Sequence, residues 1–311
     1  MKPILMLFWS SASPNLFRRS SLFCALALVL FSGSSAAAAL VDSLGRKVEV
    51  RDHPQRVISL APSLSEIAAS LLESEIHRLV GVSEWSDFPA QVKKIQTIGP
   101  YHRFSLEKVV ALKPDLVLAT ADGNAKEQVN HLQDLGIPVV VTRQQSLAEI
   151  ADTVLLVAQA LSMNEKGREI AQKYRSELLQ FQKKSHSLSS QRVLLQLGDR
   201  PLVVAGAASF LNDALLALGA KNVYLESKQA YPHPSLEDAL SKNPDQILIL
   251  SLGADSSQDE QMRSKWLDFK TLRAVQRAQV KLIRSDELLR PTPRIVEGLK
   301  KLRQLLDDPG R

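Results

Sequence analysis

One segment of this chain occurs twice. Residues 101–123 and 231–253 align without a gap at a constant offset of 130. Eight positions agree: Tyr101 with Tyr231, Ser105 with Ser235, Leu106 with Leu236, Glu107 with Glu237, Pro114 with Pro244, Asp115 with Asp245, Leu118 with Leu248 and Gly123 with Gly253. Ordinary residue frequencies give about one or two agreements over such a window. A repeat at so wide a spacing predicts two related halves, each with its own sheet. In both copies a serine suited to N-capping opens a short helix, a Pro-Asp pair stops it, and an apolar run follows. Capping and stopping account for the serine and the proline. They do not require the same tyrosine six residues before the same glutamate.

Around the repeat, short β-branched runs alternate with amphipathic stretches: 56–60 then 63–72, 115–119 then 124–135, 138–141 then 147–161. The pattern resumes at 192–197 and 209–218, continues at 246–250 and 280–284, and ends in a helix at 292–306. Such alternation predicts an α/β fold of two related lobes with mainly parallel central sheets. Between them, residues 162–187 are rich in Lys, Glu, Gln and Arg, with Ile170, Tyr174, Leu178 and Phe181 on one helical stripe. Ser162 and Glu165 have capping-box spacing. Some 24 helical residues reach about 36 Å at 1.5 Å per residue. The expected organisation is an N-terminal lobe at 39–161, one long rigid connecting helix at 162–187, and a C-terminal lobe at 188–311.

The first forty residues have a different character. Arg18 and Arg19 precede an uncharged run at 22–31, followed by Ser-Gly-Ser-Ser and a row of alanines. This is the order of a secretory signal peptide, expected at 1–38 with cleavage among residues 36–39, and it predicts export to the periplasm. An uncleaved anchor and a start at Met6 or later are the alternatives. The strongly apolar core, at about ten residues, falls short of the roughly twenty a spanning helix needs. Cys24, the sole cysteine, follows Ser-Leu-Phe rather than the small residue that precedes a lipidated cysteine. Loss of 1–38 removes Lys2, Arg18 and Arg19 and no acid, so the formal charge of +6 falls to +3. The remaining basic residues are dispersed among acids without interleaved aromatics, which argues against nucleic-acid binding.

Three sets of residues are candidates for function. Glu107 and Glu237 sit in the first turn of their short helices, where a carboxylate complements the helix dipole. As a corresponding pair they also suit docking onto basic sockets of a partner. Trp85, Tyr101 and Tyr231 lie in loops beside Pro, Ser, Asp or Gly, placed either to line a cleft or to pack on the neighbouring prolines. Asp286 and Arg290, between the last strand and the last helix, can exchange hydrogen bonds with a polar ligand or remain solvated loop charges. His102 and His233 flank the repeated tyrosines, but two isolated histidines make a weak metal site. Dinucleotide, phosphate-loop, zinc-protease and nucleophile-elbow motifs are absent, so neither catalysis nor a resident cofactor or metal is expected.

With Ser86-Asp87-Phe88-Pro89, Ala111-Leu112-Lys113-Pro114-Asp115-Leu116-Val117, Gly123-Asn124-Ala125 with Gln128-Val129, and Pro293-Arg294-Ile295, the chain resembles the periplasmic vitamin B12-binding proteins of ATP-driven (ABC) importers. These belong to a class that includes haem and iron-siderophore binders. The Ala-Leu-Lys-Pro-Asp segment is common to the class; the Ser-Asp-aromatic-Pro and Gly-Asn-Ala segments favour cobalamin. The resemblance implies a corrinoid held between the lobes of a monomer. It also implies aromatic contacts from Trp85, Tyr101 and Tyr231, polar contacts from Asp286 and Arg290, and docking of Glu107 and Glu237 to arginines of a permease dimer. Leu197, Val203 and Thr120 stand where the family type has aromatics. Haem or a ferric siderophore is the alternative ligand within the class, and a small-molecule α/β enzyme the alternative outside it.

Overall fold

The strands β3 (Val57–Ser59), β5 (Leu116–Thr120), β6 (Val139–Thr142) and β10 (Gln246–Ser251) are buried on both faces, and that property dictates the layers of this protein. The computed structural model describes residues 37–184, 191–251 and 256–308, so the expected signal peptide lies outside the described residues up to position 36. A hairpin of β1 (Ala37–Val41) and β2 (Lys47–Arg51) comes first. The N-terminal half continues with β3 (Val57–Ser59), α1 (Pro62–Leu72), β4 (Leu79–Val82), α2 (Leu106–Ala111) and β5 (Leu116–Thr120). It closes with α3 (Lys126–Asp134), β6 (Val139–Thr142) and α4 (Leu147–Leu161), after which comes α5 (Asn164–Lys184). The C-terminal half runs β7 (Arg192–Asp199), β8 (Leu202–Val204), α6 (Phe210–Ala217), β9 (Lys221–Asn222), α7 (Leu236–Ser241) and β10 (Gln246–Ser251). It ends with α8 (Ser256–Leu267), α9 (Arg273–Gln276), β11 (Val280–Arg284), α10 (Asp286–Leu289) and α11 (Ile295–Asp307).

The first sheet is parallel throughout in the order β4-β3-β5-β6. The second runs β11-β10-β7-β8, with β9 also on β7 and β8 alone antiparallel. The related halves expected from the repeat are present. Successive strand residues point to opposite faces, and here both faces are covered. In β5, Leu116 and Leu118 face one core and Val117 and Ala119 another; in β10, Leu248 and Leu250 face one and Ile247 and Ile249 another. The outer cores are separate, with Val109 and Leu132 over the first sheet and Trp266 and Ala274 over the second. The inner core is continuous. It joins Leu116 and Val140 of one sheet to Val193 and Leu248 of the other through α1, α4, α5, α6 and α11.

Helix α5 belongs to this shared layer. Tyr174, Leu178 and Phe181 are buried on its apolar stripe, and Tyr174 donates its hydroxyl to the Leu147 carbonyl at 2.7 Å. Gly167 permits a close approach to α4, since a Cβ there would lie 2.2 Å from that of Ala158. The expected capping box is not formed. Ser162 instead ends α4 in a left-handed conformation, with its hydroxyl donated to Asp52 at 2.7 Å and accepting from the His53 amide at 3.0 Å. The helix starts two residues later, and its 21 residues rise about 31 Å. Five strands among the described residues, β1, β2, β4, β8 and β9, escaped the sequence reading. β1 lies in the alanine row read as a cleavage region, β4 is interrupted by Gly81, and β8 is only three residues long.

The repeated Pro-Asp pair has a structural task in both halves. Lys113 and Asn243, just before the prolines, both turn left-handed, with φ of 46° and 42°. Each aspartate then returns to the start of the neighbouring strand. Asp115 accepts from the amides of Gln55 and Arg56 at 2.8 and 2.7 Å, and Asp245 from that of Arg192 at 3.1 Å. Asp115→Ala should lower stability by about 2–3 kcal/mol, because two amides lose a charged acceptor. In a urea titration this appears as a lower midpoint at unchanged slope; an unchanged midpoint would deny the clamp its role.

Candidate functional site

The loops at the carboxyl ends of the parallel strands, where α/β sheets place their ligand sites, converge between the two halves. The chain leaves β4 through Ser83, turns left-handed at Trp85 with φ of 70°, and leaves the indole 67% exposed. A bulky residue at positive φ is strained by about 1–3 kcal/mol and persists only where its surroundings fix it. Here Ser86 does so, its hydroxyl 2.9 Å from that of Ser65 and 3.1 Å from that of Ser83.

Residues 123–128 form a seat for the first repeated tyrosine. A Cβ on Gly123 would fall 2.3 Å from Cε2 of Tyr101, so only glycine lets that ring rest there. Asn124 donates its side-chain amide to the carbonyls of Tyr101 at 2.5 Å and Leu60 at 3.0 Å, while its oxygen accepts from the Thr120 amide at 2.7 Å. Gln128 reaches the Phe104 carbonyl at 2.8 Å. The Gly-Asn-Ala segment is therefore a clamp on the tyrosine loop. Tyr101 itself remains 38% exposed, with His102 packed edge-on at 5.7 Å.

On the opposite side, residues 230–232 run beside β8, with Val204 donating to the Pro232 carbonyl and Gly206 to that of Ala230. This holds Tyr231 at the edge of the inner core. Its hydroxyl is pushed well above the usual tyrosine range by burial, and further by Asp122 and Tyr101 of the other half. The two repeated tyrosines thus lie within electrostatic range of each other across the cleft. Leu197 packs on the inner core, and Thr120 is buried with its hydroxyl accepting from the Asp122 amide at 3.2 Å.

Arg290 is more deeply committed than the sequence implies. It is 7% exposed, and its guanidinium donates to Asp87 at 2.6 Å and the Trp85 carbonyl at 3.1 Å, with Asp286 at 3.6 Å. Asp286 keeps a partly exposed carboxylate. Beside them the Glu287 carboxyl is raised by partial burial, but hydrogen bonds from Ser285 and Lys301 outweigh this and hold it at about 2. Sequence reasoning missed Glu66, Asp87 as a partner of Arg290, Asp122 and Gln144. Glu66 carried a signal: a lone acid within the apolar helix Pro62–Leu72 needs a partner.

Glu107 and Glu237 occupy equivalent second positions of α2 and α7, behind serine caps that accept from Lys108 and Asp238 at 3.2 and 3.1 Å. Both are exposed, and neither carboxylate has a hydrogen-bond or ion-pair partner among the described residues. His233 is exposed, and no cluster of metal-ligating side chains occurs among the described residues. A separate depression of about 880 Å³ lies between α1, α5 and α11, with Phe88 and Arg294 on its rim, and includes none of the candidate aromatics.

Comparison with known proteins places these features in context. The family model described as periplasmic binding protein matches residues 57–287. The chain is 32% identical over 247 residues to the vitamin B12-binding protein of Salmonella typhimurium, covering 79% of this chain and 88% of that one. It is 30% identical over 248 residues to the vitamin B12-binding protein of Vibrio vulnificus, covering 80% and 88%. Among solved structures, the periplasmic vitamin B12-binding protein of Vibrio cholerae superposes with a TM-score of 0.72 at 29% identity, covering 82% of this chain and 97% of that one. A periplasmic haem-binding protein from Roseiflexus shares the fold at 22% identity and a TM-score of 0.71, with 83% and 99% covered.

Gly123→Ala should displace the Tyr101 ring without straining the backbone. The expected result is an altered near-ultraviolet circular dichroism spectrum with the far-ultraviolet spectrum intact; two unchanged spectra would mean that the ring does not depend on this seat.

Proposed function

The chain belongs to the periplasmic binding protein family, and from that premise we propose that it captures a cobalamin-like corrinoid in the cleft between its halves and passes it to an ABC importer. The observation that carries this reading is the Gly123–Asn124 seat. It fixes one aromatic ring on one side of a cleft whose other side bears Tyr231, and the strained Trp85 stands exposed at the same set of strand ends. A flat, amphipathic macrocycle suits such rings. Burial of its apolar surface contributes about 25 cal/mol per Å² and aromatic packing adds to that. Asp286 supplies an acceptor for ligand amides. Arg290 offers a ligand only what Asp87 and Trp85 leave free. The relatives named vitamin B12-binding proteins support the choice of ligand.

No chemistry is assigned to the site: in this reading the protein binds and releases. It acts in the periplasm as a monomer after loss of the signal peptide, with 39–161 and 188–311 as its lobes. Its partner is a permease dimer, met by Glu107 and Glu237. Two carboxylates at equivalent helix N-termini, each with its serine cap and without a partner among the described residues, present matched negative charge at positions set by the repeat.

Isothermal titration of the purified protein with cyanocobalamin should give saturable binding at micromolar concentration or tighter. Absence of heat at tens of micromolar, together with tight binding of haem or a ferric siderophore, would move the ligand elsewhere in the class; the absorption spectrum of the protein as purified separates haem from corrinoid. Reversing charge at Glu107→Arg and Glu237→Arg should cut uptake into vesicles bearing the permease by tenfold or more while leaving ligand affinity unchanged. Loss of affinity in these variants, or undiminished uptake, would remove the docking role.

A further inference from the structure

We infer that Glu66 is a positioning residue for the cleft: its buried carboxylate anchors a strap, residues 290–294, that sets the spacing of the two halves. Glu66 lies on α1 in the N-terminal half and is 4% exposed. Among the described residues, all its side-chain hydrogen bonds come from the other half: Thr292 donates its hydroxyl at 2.6 Å, and Arg294 donates Nε at 2.8 Å and Nη2 at 2.5 Å. The remainder of the strap is tied to the same side. Gln144 donates to the Pro291 carbonyl at 2.8 Å, and Arg290 binds Asp87 and the Trp85 carbonyl. Arg294 also lies over the Phe88 ring, 3.5 Å from its centroid.

A buried carboxylate with three donors is tolerated while all three are present and becomes costly when they leave. Widening the cleft would separate Glu66 from Thr292 and Arg294 and leave its buried carboxylate without these donors. Small displacements are therefore resisted at the strap, close to Trp85 and Asp87, and not only along α5. Glu66 acts through the strap without touching a ligand. The bearing of this spacing on capture rests on the function proposed above; the spacing itself rests on the hydrogen bonds.

Pulsed electron-spin distance measurement on the ligand-free chain tests the two separately. Labels are attached at Val110→Cys on α2 and Leu236→Cys on α7, exposed by 43% and 47%, in the full chain carrying Cys24→Ser. The parent should give one narrow distance distribution. Glu66→Gln and Arg294→Gln should each widen it about twofold or shift its mean, and the double variant should do no more than either alone. Thr292→Val, which removes a single donor, should widen it less and serves where Glu66→Gln does not fold. Unchanged distributions in folded Glu66→Gln and Thr292→Val overturn the inference. With cyanocobalamin, Glu66→Gln should bind roughly tenfold more weakly through faster dissociation. A parent that binds no cobalamin, while the distributions still widen, refutes the ligand and leaves the strap standing; wider distributions with unaltered cobalamin affinity refute the positioning role.

Discussion

The architecture depends on a hydrophobic layer that two sheets share. Each sheet buries one face in a core of its own and the other against α1, α4, α5, α6 and α11, which together form a single apolar cluster. Separating the halves would expose that layer to water, and apolar exposure costs about 25 cal/mol per Å². Sliding or tilting within the layer is cheaper than opening it. The cleft is thus a gap between two bodies with a common interior.

Much of this was written in the local pattern. The strands at 116–120, 139–142 and 246–251 fall within a residue of the runs read at 115–119, 138–141 and 246–250, and α4 spans the amphipathic stretch read at 147–161. The connecting helix was recognisable by its stripe, but what it packs against was not. Only the fold shows that Gly167 brings it onto Ala158 and that Ser162 serves the end of the preceding helix. β4 and β8 escaped because a glycine or extreme shortness erases periodicity, and such strands are specified by their neighbours.

The site divides along the same line. Trp85, Tyr101 and Tyr231 were visible as aromatics in polar loops, and Glu107 and Glu237 as a repeated pair. Their supports were less accessible, because a hydrogen bond between Asn124 and the Tyr101 carbonyl, or between Arg290 and Asp87, spans positions 23 and 203 residues apart. A resemblance to a family marks such residues as a group without stating what each does. The geometry separates them: Gly123 and Asn124 seat a ring, Asp115 and Asp245 tie down strands, and Arg290 and Arg294 bridge the halves.

The small connections at the margins of the sheets have a further consequence. The corner of the β1–β2 hairpin meets the end of β6, with Ser43 donating to the Val141 carbonyl and Val141 donating to Asp42. The segment through Thr97 lies along β4, and residues 230–232 lie along β8. Three sheet margins therefore spend their backbone donors and acceptors inside the chain, where a bare margin would recruit a strand from another molecule. The loop that carries Tyr231 covers one of these margins. Loosening it would uncover the β8 margin to pairing with a strand of another molecule.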